Sequence, residues 1–125
     1  MVFKINHIAF SVTDVEKSVN FYKKVLNLRE IQNTASISKT RWLQFDDGRQ
    51  FHLIPRAYKI TTNKAVHLAL TTNNFESFIK NLIEFNVNYE DWIGSSKKNY
   101  VRNDGVLQIY FQDPDGYWIE VNNDC

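Results

Sequence analysis

From Ile5 to Val12 apolar and polar residues alternate, with Asn6, Ile8, Phe10 and Val12 on one face and Ile5, His7, Ala9 and Ser11 on the other. A period of two predicts a strand covered on one side. The period then lengthens: Val15, Val19, Tyr22 and Leu26 recur at i, i+4, i+7 and i+11, the stripe of an amphipathic helix. Thr13 and Glu16 have the spacing of a capping box before it, and Asn27 closes it. The same grammar returns later. Val66, Leu68 and Leu70 oppose His67, Ala69 and Thr71, and Asn74 precedes a helix presenting Phe75, Phe78, Ile79 and Leu82. Further strands are expected at Trp42 to Phe45, Phe51 to Ile54, Leu107 to Gln112 and Trp118 to Val121, with turns at Asp46-Asp47-Gly48 and Asp113-Pro114-Asp115-Gly116.

These two passages are copies. His7-Ile8-Ala9-Phe10-Ser11-Val12 matches His67-Leu68-Ala69-Leu70-Thr71-Thr72 at an offset of 60, and Asp47-Gly48 with His52 matches Asp115-Gly116 with Glu120 at an offset of 68. The second copy therefore gains about eight residues, expected in the Gly, Ser and Lys-rich loop from Ile93 to Asn99. Each copy reads as a strand, a helix, then two or three strands. The modules span about 1–57 and about 64–125.

At 125 residues the chain has the length of one compact domain, and 43% hydrophobic residues supply its core. Lys plus Arg at 15 nearly balances Asp plus Glu at 14, so neither nucleic acid nor an anionic membrane is an expected partner. The single cysteine, Cys125, excludes an internal disulfide and fits a reducing compartment. The start lacks the segments of a signal peptide, and no uncharged apolar stretch nears the roughly 18–20 residues of a membrane span. A cytoplasmic protein is expected.

Alternation also sorts the polar residues by face. All three histidines fall in strands, and each points away from its apolar neighbours, as does Glu120 between Ile119 and Val121. The duplication makes His7 equivalent to His67 and His52 equivalent to Glu120, so two facing repeats would bring the four to one centre. Three imidazoles and a carboxylate suit Ni, Zn, Co, Mn or Fe(II), with positions left for water or substrate. The aspartates Asp46, Asp47, Asp113 and Asp115 are read as turn residues instead. Trp42 and Gln44 share a face, as do Gln108, Tyr110 and Gln112, and these are expected to border the pocket. Arg102, entering the strand after the long loop, is a candidate to hold a substrate carboxylate, and Trp92 and Trp118 to form an apolar wall.

Taken together, Ile5-Asn6-His7-Ile8-Ala9-Phe10-Ser11-Val12, the helix with Phe21-Tyr22, Val66-His67-Leu68-Ala69-Leu70 and Asp113-Pro114-Asp115-Gly116-Tyr117-Trp118-Ile119-Glu120-Val121 resemble the glyoxalase/bleomycin resistance/extradiol dioxygenase family, the vicinal oxygen chelate superfamily. The resemblance spans essentially the whole chain. It implies an α+β fold of two tandem βαβββ modules forming a cupped mixed sheet around a divalent metal, with His7, His67 and Glu120 as ligands and His52 at the fourth position. It also implies a homodimer, each site taking His7 and His52 from one chain and His67 and Glu120 from the other.

The function it implies is a glyoxalase I-like lyase or isomerase acting on a small molecule, including a thiol adduct, through vicinal oxygens, with Glu120 as both ligand and catalytic base. Glyoxalase I usually carries Glu where His52 stands. Three other branches stay open: a metal-free ligand-sequestering protein of the bleomycin-resistance kind, an Fe(II) extradiol dioxygenase, and a fosfomycin-modifying thiol transferase, whose usual hydroxyl residue is replaced here by Ala9.

Overall fold

The computed structural model describes residues 1–56, 58–95 and 100–125. Ala57, and residues 96–99 of the expected loop, lie outside the described residues. The chain divides into two compact units, Met1–Ile60 and Thr61–Cys125.

The first unit runs β1 (His7–Ser11), α1 (Val15–Val25), β2 (Arg29–Ile31), β3 (Arg41–Gln44) and β4 (Gln50–Ile54). Its sheet has the order β1-β4-β3-β2, with β1 parallel to β4 and the other pairs antiparallel. The second unit runs β5 (His67–Thr71), α2 (Phe75–Glu84), β6 (Tyr89–Glu90), β7 (Tyr100–Val101), β8 (Leu107–Gln112) and β9 (Trp118–Asn122). Its order is β5-β9-β8-β6, with β5 parallel to β9 and β7 pairing with β8 beyond β6. Each unit is thus a βαβββ module, and β7 is an addition carried by the longer connection of the second.

The duplication holds at the level of register. Ala9 and Trp42 flank His52 on the neighbouring strands as Ala69 and Tyr110 flank Glu120. The offset narrows to 59 after the helices because α2 is one residue shorter, with Asn27 (φ 54) and Asn86 (φ 56) as the matching left-handed residues just past each helix. Ile31 pairs with Trp42, 11 positions on, whereas Glu90 pairs with Tyr110, 20 positions on. The insertion therefore lies between these strands, where the loop chemistry puts it.

The capping expectation needs one correction. Asp14, not Thr13, is the N-cap of α1, with extended backbone and Oδ1 accepting from the Lys17 N–H at 3.1 Å. A carboxylate at that position also meets the positive end of the helix.

Side-chain parity determines where the core lies. Val19 and Tyr22 of α1 are fully buried with Leu43, Phe51 and Leu53 of the sheet, and Tyr22 packs edge-on against Phe51 at 4.7 Å. In the second unit Phe75, Ile79 and Leu82 are buried with Ile109, Phe111, Ile119 and Val121. The opposite face of each sheet is thereby left to His7, His52 and Trp42 in one module and to His67, Tyr110 and Glu120 in the other. At the edge of the first sheet the Arg41 guanidinium makes a bidentate pair with Glu30, both bonds 2.7 Å, and also reaches Glu16 on α1. Among the described residues no helix is long and apolar enough to cross a membrane.

Candidate metal and substrate site

On the face of the second sheet opposite Ile119 and Val121, β5 and β9 bring two expected ligands together. His67 Nε2 lies 3.4 Å from Glu120 Oε1. The other ring nitrogen, Nδ1, is 2.8 Å from the Lys64 carbonyl oxygen, which can only accept, so Nδ1 carries the proton and Nε2 keeps its lone pair in the neutral ring. Glu120 is buried, at 7% exposure, and both its oxygens are engaged: the Tyr110 hydroxyl donates to Oε1 at 2.7 Å and Asn122 Nδ2 to Oε2 at 2.6 Å. Outer hydrogen bonds of this kind fix ligand orientation in metal sites. The 3.4 Å separation is close to the about 3.3 Å between two donors of one tetrahedral ion bound at about 2.0–2.1 Å, so this pair fits a divalent metal.

On the first module's uncovered face the arrangement is different. The rings of His7 and His52 are stacked, centroids 4.1 Å apart and planes 15° apart, and Trp42 stacks on the far side of His52 at 4.3 Å and 2°. His7 Nδ1 meets Asn6 Oδ1 at 2.7 Å, and His52 Nε2 meets Gln50 Oε1 at 2.9 Å. Burial, and secondarily the neighbouring His7, hold the His52 imidazole below its usual pKa. Among the described residues no group of three His, Cys, Asp or Glu side chains is gathered for an ion; the expected ligands come as two pairs, one per module.

The expected pocket residues divide in the same way. Gln44 is committed to the turn that follows it: its amide nitrogen donates to the Gly48 carbonyl at 3.1 Å and its oxygen accepts from Arg29. Gln112 repeats this on the Gly116 carbonyl at 3.0 Å. Both turns place glycine at positive φ, 88° and 89°, which accounts for Asp-Gly in each copy. Arg102 and Gln108, by contrast, border an open hollow of about 390 Å³ together with Trp92, Asn103 and Asp104. Arg102 pairs with Asp104, which holds the guanidinium firmly protonated, and lies 3.6 Å from Asp124. Trp92 joins hollow and ligand pair, its ring centroid 6.3 Å from that of His67 and 5.5 Å from that of Tyr110.

Lys64 and Asn122 are neighbours of the candidate pair that sequence reasoning missed. Asn122 was findable, since it follows Glu120 by two on the same strand face. Lys64 was not, because it sits in the turn before β5, where alternation carries no information. Its ammonium donates to Glu90 Oε2 at 2.8 Å and to the carbonyls of Asp91 at 2.7 Å and Trp92 at 3.0 Å. The rings of Trp118, Tyr110 and Trp92 surround it at 4.8, 5.1 and 5.6 Å.

Two βαβββ modules with ligand-type side chains on the first and last strands define the glyoxalase-like fold. The chain belongs to the Glyoxalase/Bleomycin resistance protein/Dioxygenase superfamily, whose family model matches residues 4–121. Over 98% of its length it is 33% identical to the metallothiol transferase FosB of Staphylococcus saprophyticus, covering 78% of that protein. It is 29% identical over 95% of its length to Glyoxylase I 4 of Arabidopsis thaliana, covering 70% of it. The solved structure of the oxidase ChaP-H2 matches 100% of this chain and 96% of its own with a TM-score of 0.83 at 20% identity, a likeness of fold.

Proposed function

We propose that the protein is a divalent-metal enzyme that joins a small thiol to a small molecule presenting adjacent oxygens, with His7, His67 and Glu120 as metal donors. The observation that carries this reading is the His67 and Glu120 pair, 3.4 Å apart, with the Lys64 carbonyl, Tyr110 and Asn122 fixing its donor atoms. Two imidazoles and one carboxylate suit Ni, Zn, Co, Mn or Fe(II) and leave coordination positions open. An ion bound there supplies Lewis acidity toward the substrate oxygens. Trp92, Arg102 and Gln108 border the space next to the pair, where an apolar face and a guanidinium suit a small polar reactant.

Thiol transfer is favoured over isomerisation by the likeness to a metallothiol transferase and by His52, which stands where glyoxalase I usually carries a carboxylate. In such a transfer the sulfur bonds to carbon as a C–O bond opens, and the thiol proton ends on the freed oxygen, so no oxidant is required. Hemithioacetal isomerisation is the second reading, supported by the likeness to Glyoxylase I 4. There Glu120 would move the proton, although both its oxygens already accept hydrogen bonds.

The test is protein reconstituted with each metal and supplied with a small thiol plus either fosfomycin or methylglyoxal, products being followed by mass spectrometry. A thiol adduct of the first, formed only with metal, is expected. Turnover of methylglyoxal alone transfers the assignment to the isomerase, and failure to take up any of the metals ends both. We further propose that the chain works as a homodimer, for which a monomer by light scattering at micromolar concentration is the adverse result.

A further inference from the structure

We infer that His52 is a positioning residue for His7 and not a fourth metal donor; the inference rests on the metal reading above. An imidazole binds an ion through a lone pair in the ring plane, with a bond of about 2.0–2.1 Å. An ion shared by two imidazoles must therefore lie near both planes. The planes of His7 and His52 are 15° apart and their centroids 4.1 Å apart, so the planes meet only roughly 15 Å from the rings, far beyond a metal–nitrogen bond. Stacked in this way, at most one of the two can be a donor to a given ion.

Position in the stack and the repeat say which. His52 occupies the middle of the stack, between His7 and Trp42, and its Nε2 donates to Gln50 Oε1 at 2.9 Å. His7 is the outer ring, with Nδ1 held by Asn6 Oδ1 at 2.7 Å and Nε2 released. That is the pattern of His67, its equivalent in the other module, where Nδ1 is held by a carbonyl and Nε2 faces Glu120. Register explains how the stack forms. Ala9 stands directly across from His52 on β1, and its methyl group leaves room for the His7 ring to lean over, while Trp42 is the direct neighbour on β3. Trp42 fixes the ring of His52, and that ring limits the rotation of an exposed histidine on an edge strand. Ordering His7 before the ion arrives removes an entropic cost from binding.

The experiment measures metal affinity by chelator competition for wild type, His7→Ala, His52→Phe, His52→Ala and Trp42→Ala, with folding of each checked by circular dichroism. Phe keeps the stacking face and removes both nitrogens, so His52→Phe is expected within about threefold of wild type. His52→Ala and Trp42→Ala are each expected to weaken binding about tenfold, the lower end for supporting residues of a metal site. His7→Ala should lose at least about a hundredfold. Ring protons of His7 in the metal-free protein give a second reading: their upfield ring-current shift persists in His52→Phe and disappears in His52→Ala. A folded His52→Phe that loses as much affinity as His7→Ala makes His52 a donor and overturns the inference. So does wild-type affinity in Trp42→Ala and His52→Ala together. Wild-type affinity in His7→Ala is a different failure, that of the metal assignment itself. Should His52→Phe not fold, Trp42→Ala and the ring-proton shifts decide, since Trp42 carries no metal-donor atom.

Discussion

His67 gives its Nδ1 proton to the carbonyl oxygen of Lys64, 2.8 Å away, and the side chain of that same lysine is anchored to Glu90, Asp91 and Trp92. The residue that orients the histidine is thus tied to the opening of the long connection in the second module. Lys64→Met keeps the length and the carbonyl but removes three charge-assisted hydrogen bonds and the cation between three rings. A loss of about 1–3 kcal/mol in urea unfolding is expected, with metal affinity about tenfold weaker because the carbonyl is no longer held. A variant as stable as wild type shows that the anchor carries no strength.

Tyr110 tests the carboxylate in the same way. Its hydroxyl is 2.7 Å from Glu120 Oε1, while its ring packs edge-on against His67 at 5.3 Å. Tyr110→Phe retains the ring contact and deletes the donor. Metal affinity should fall about 10–100-fold, the usual range for loss of a supporting hydrogen bond, with the near-ultraviolet circular dichroism otherwise like wild type. Unchanged affinity would mean that the hydroxyl merely satisfies a buried carboxylate.

Much of this was legible in the sequence because a duplicated chain supplies its own alignment. The equivalence of His7 with His67 and of His52 with Glu120 agrees with the like register around Ala9 and Ala69, and alternation assigns each residue to the face opposite the helix. What alternation cannot supply is the direction of a side chain within its face. Gln44 and Gln112 have the parity of pocket residues, yet their amides close the Gly48 and Gly116 turns. His52 likewise shares its face with His7 but lies flat against it, since an aromatic neighbour on the next strand offers a stacking surface that periodicity does not register. Lys64 is invisible for the converse reason: its contacts are set by a turn and by backbone carbonyls 27 and 28 positions away.

Acid should act on the first module through Glu30. Arg41, hydrogen-bonded to it through two nitrogens, holds the Glu30 carboxyl below the ordinary value of 4.5. The unfolded chain therefore binds that proton first. The pair's contribution is complete above pH 4.5 and drains away as pH falls through the lower folded value. Glu30→Gln should cost about 1–2 kcal/mol at pH 7, with the gap to wild type narrowing progressively as pH is lowered below 4.5. Urea midpoints of the two proteins across that range check it, and a gap that stays constant removes Glu30 as the source.

The hollow beside the ligand pair makes a separable prediction about catalysis. Trp92 is 43% exposed, borders the hollow with Arg102 and Gln108, and places its ring beside His67 and Tyr110 without being a donor to any ion. Its backbone carbonyl, which anchors Lys64, survives truncation of the side chain. Trp92→Ala therefore removes the proposed binding surface and leaves the proposed metal donors in place. If that surface binds reactant equally in the ground and transition states, KM rises while kcat holds. The expected result is KM up about tenfold, equivalent to about 1.4 kcal/mol of lost contact, with kcat within about twofold and metal content unchanged. Steady-state kinetics with each reactant varied in turn identifies which one lies in the hollow. A fall in kcat at constant KM would place Trp92 against the reacting atoms instead.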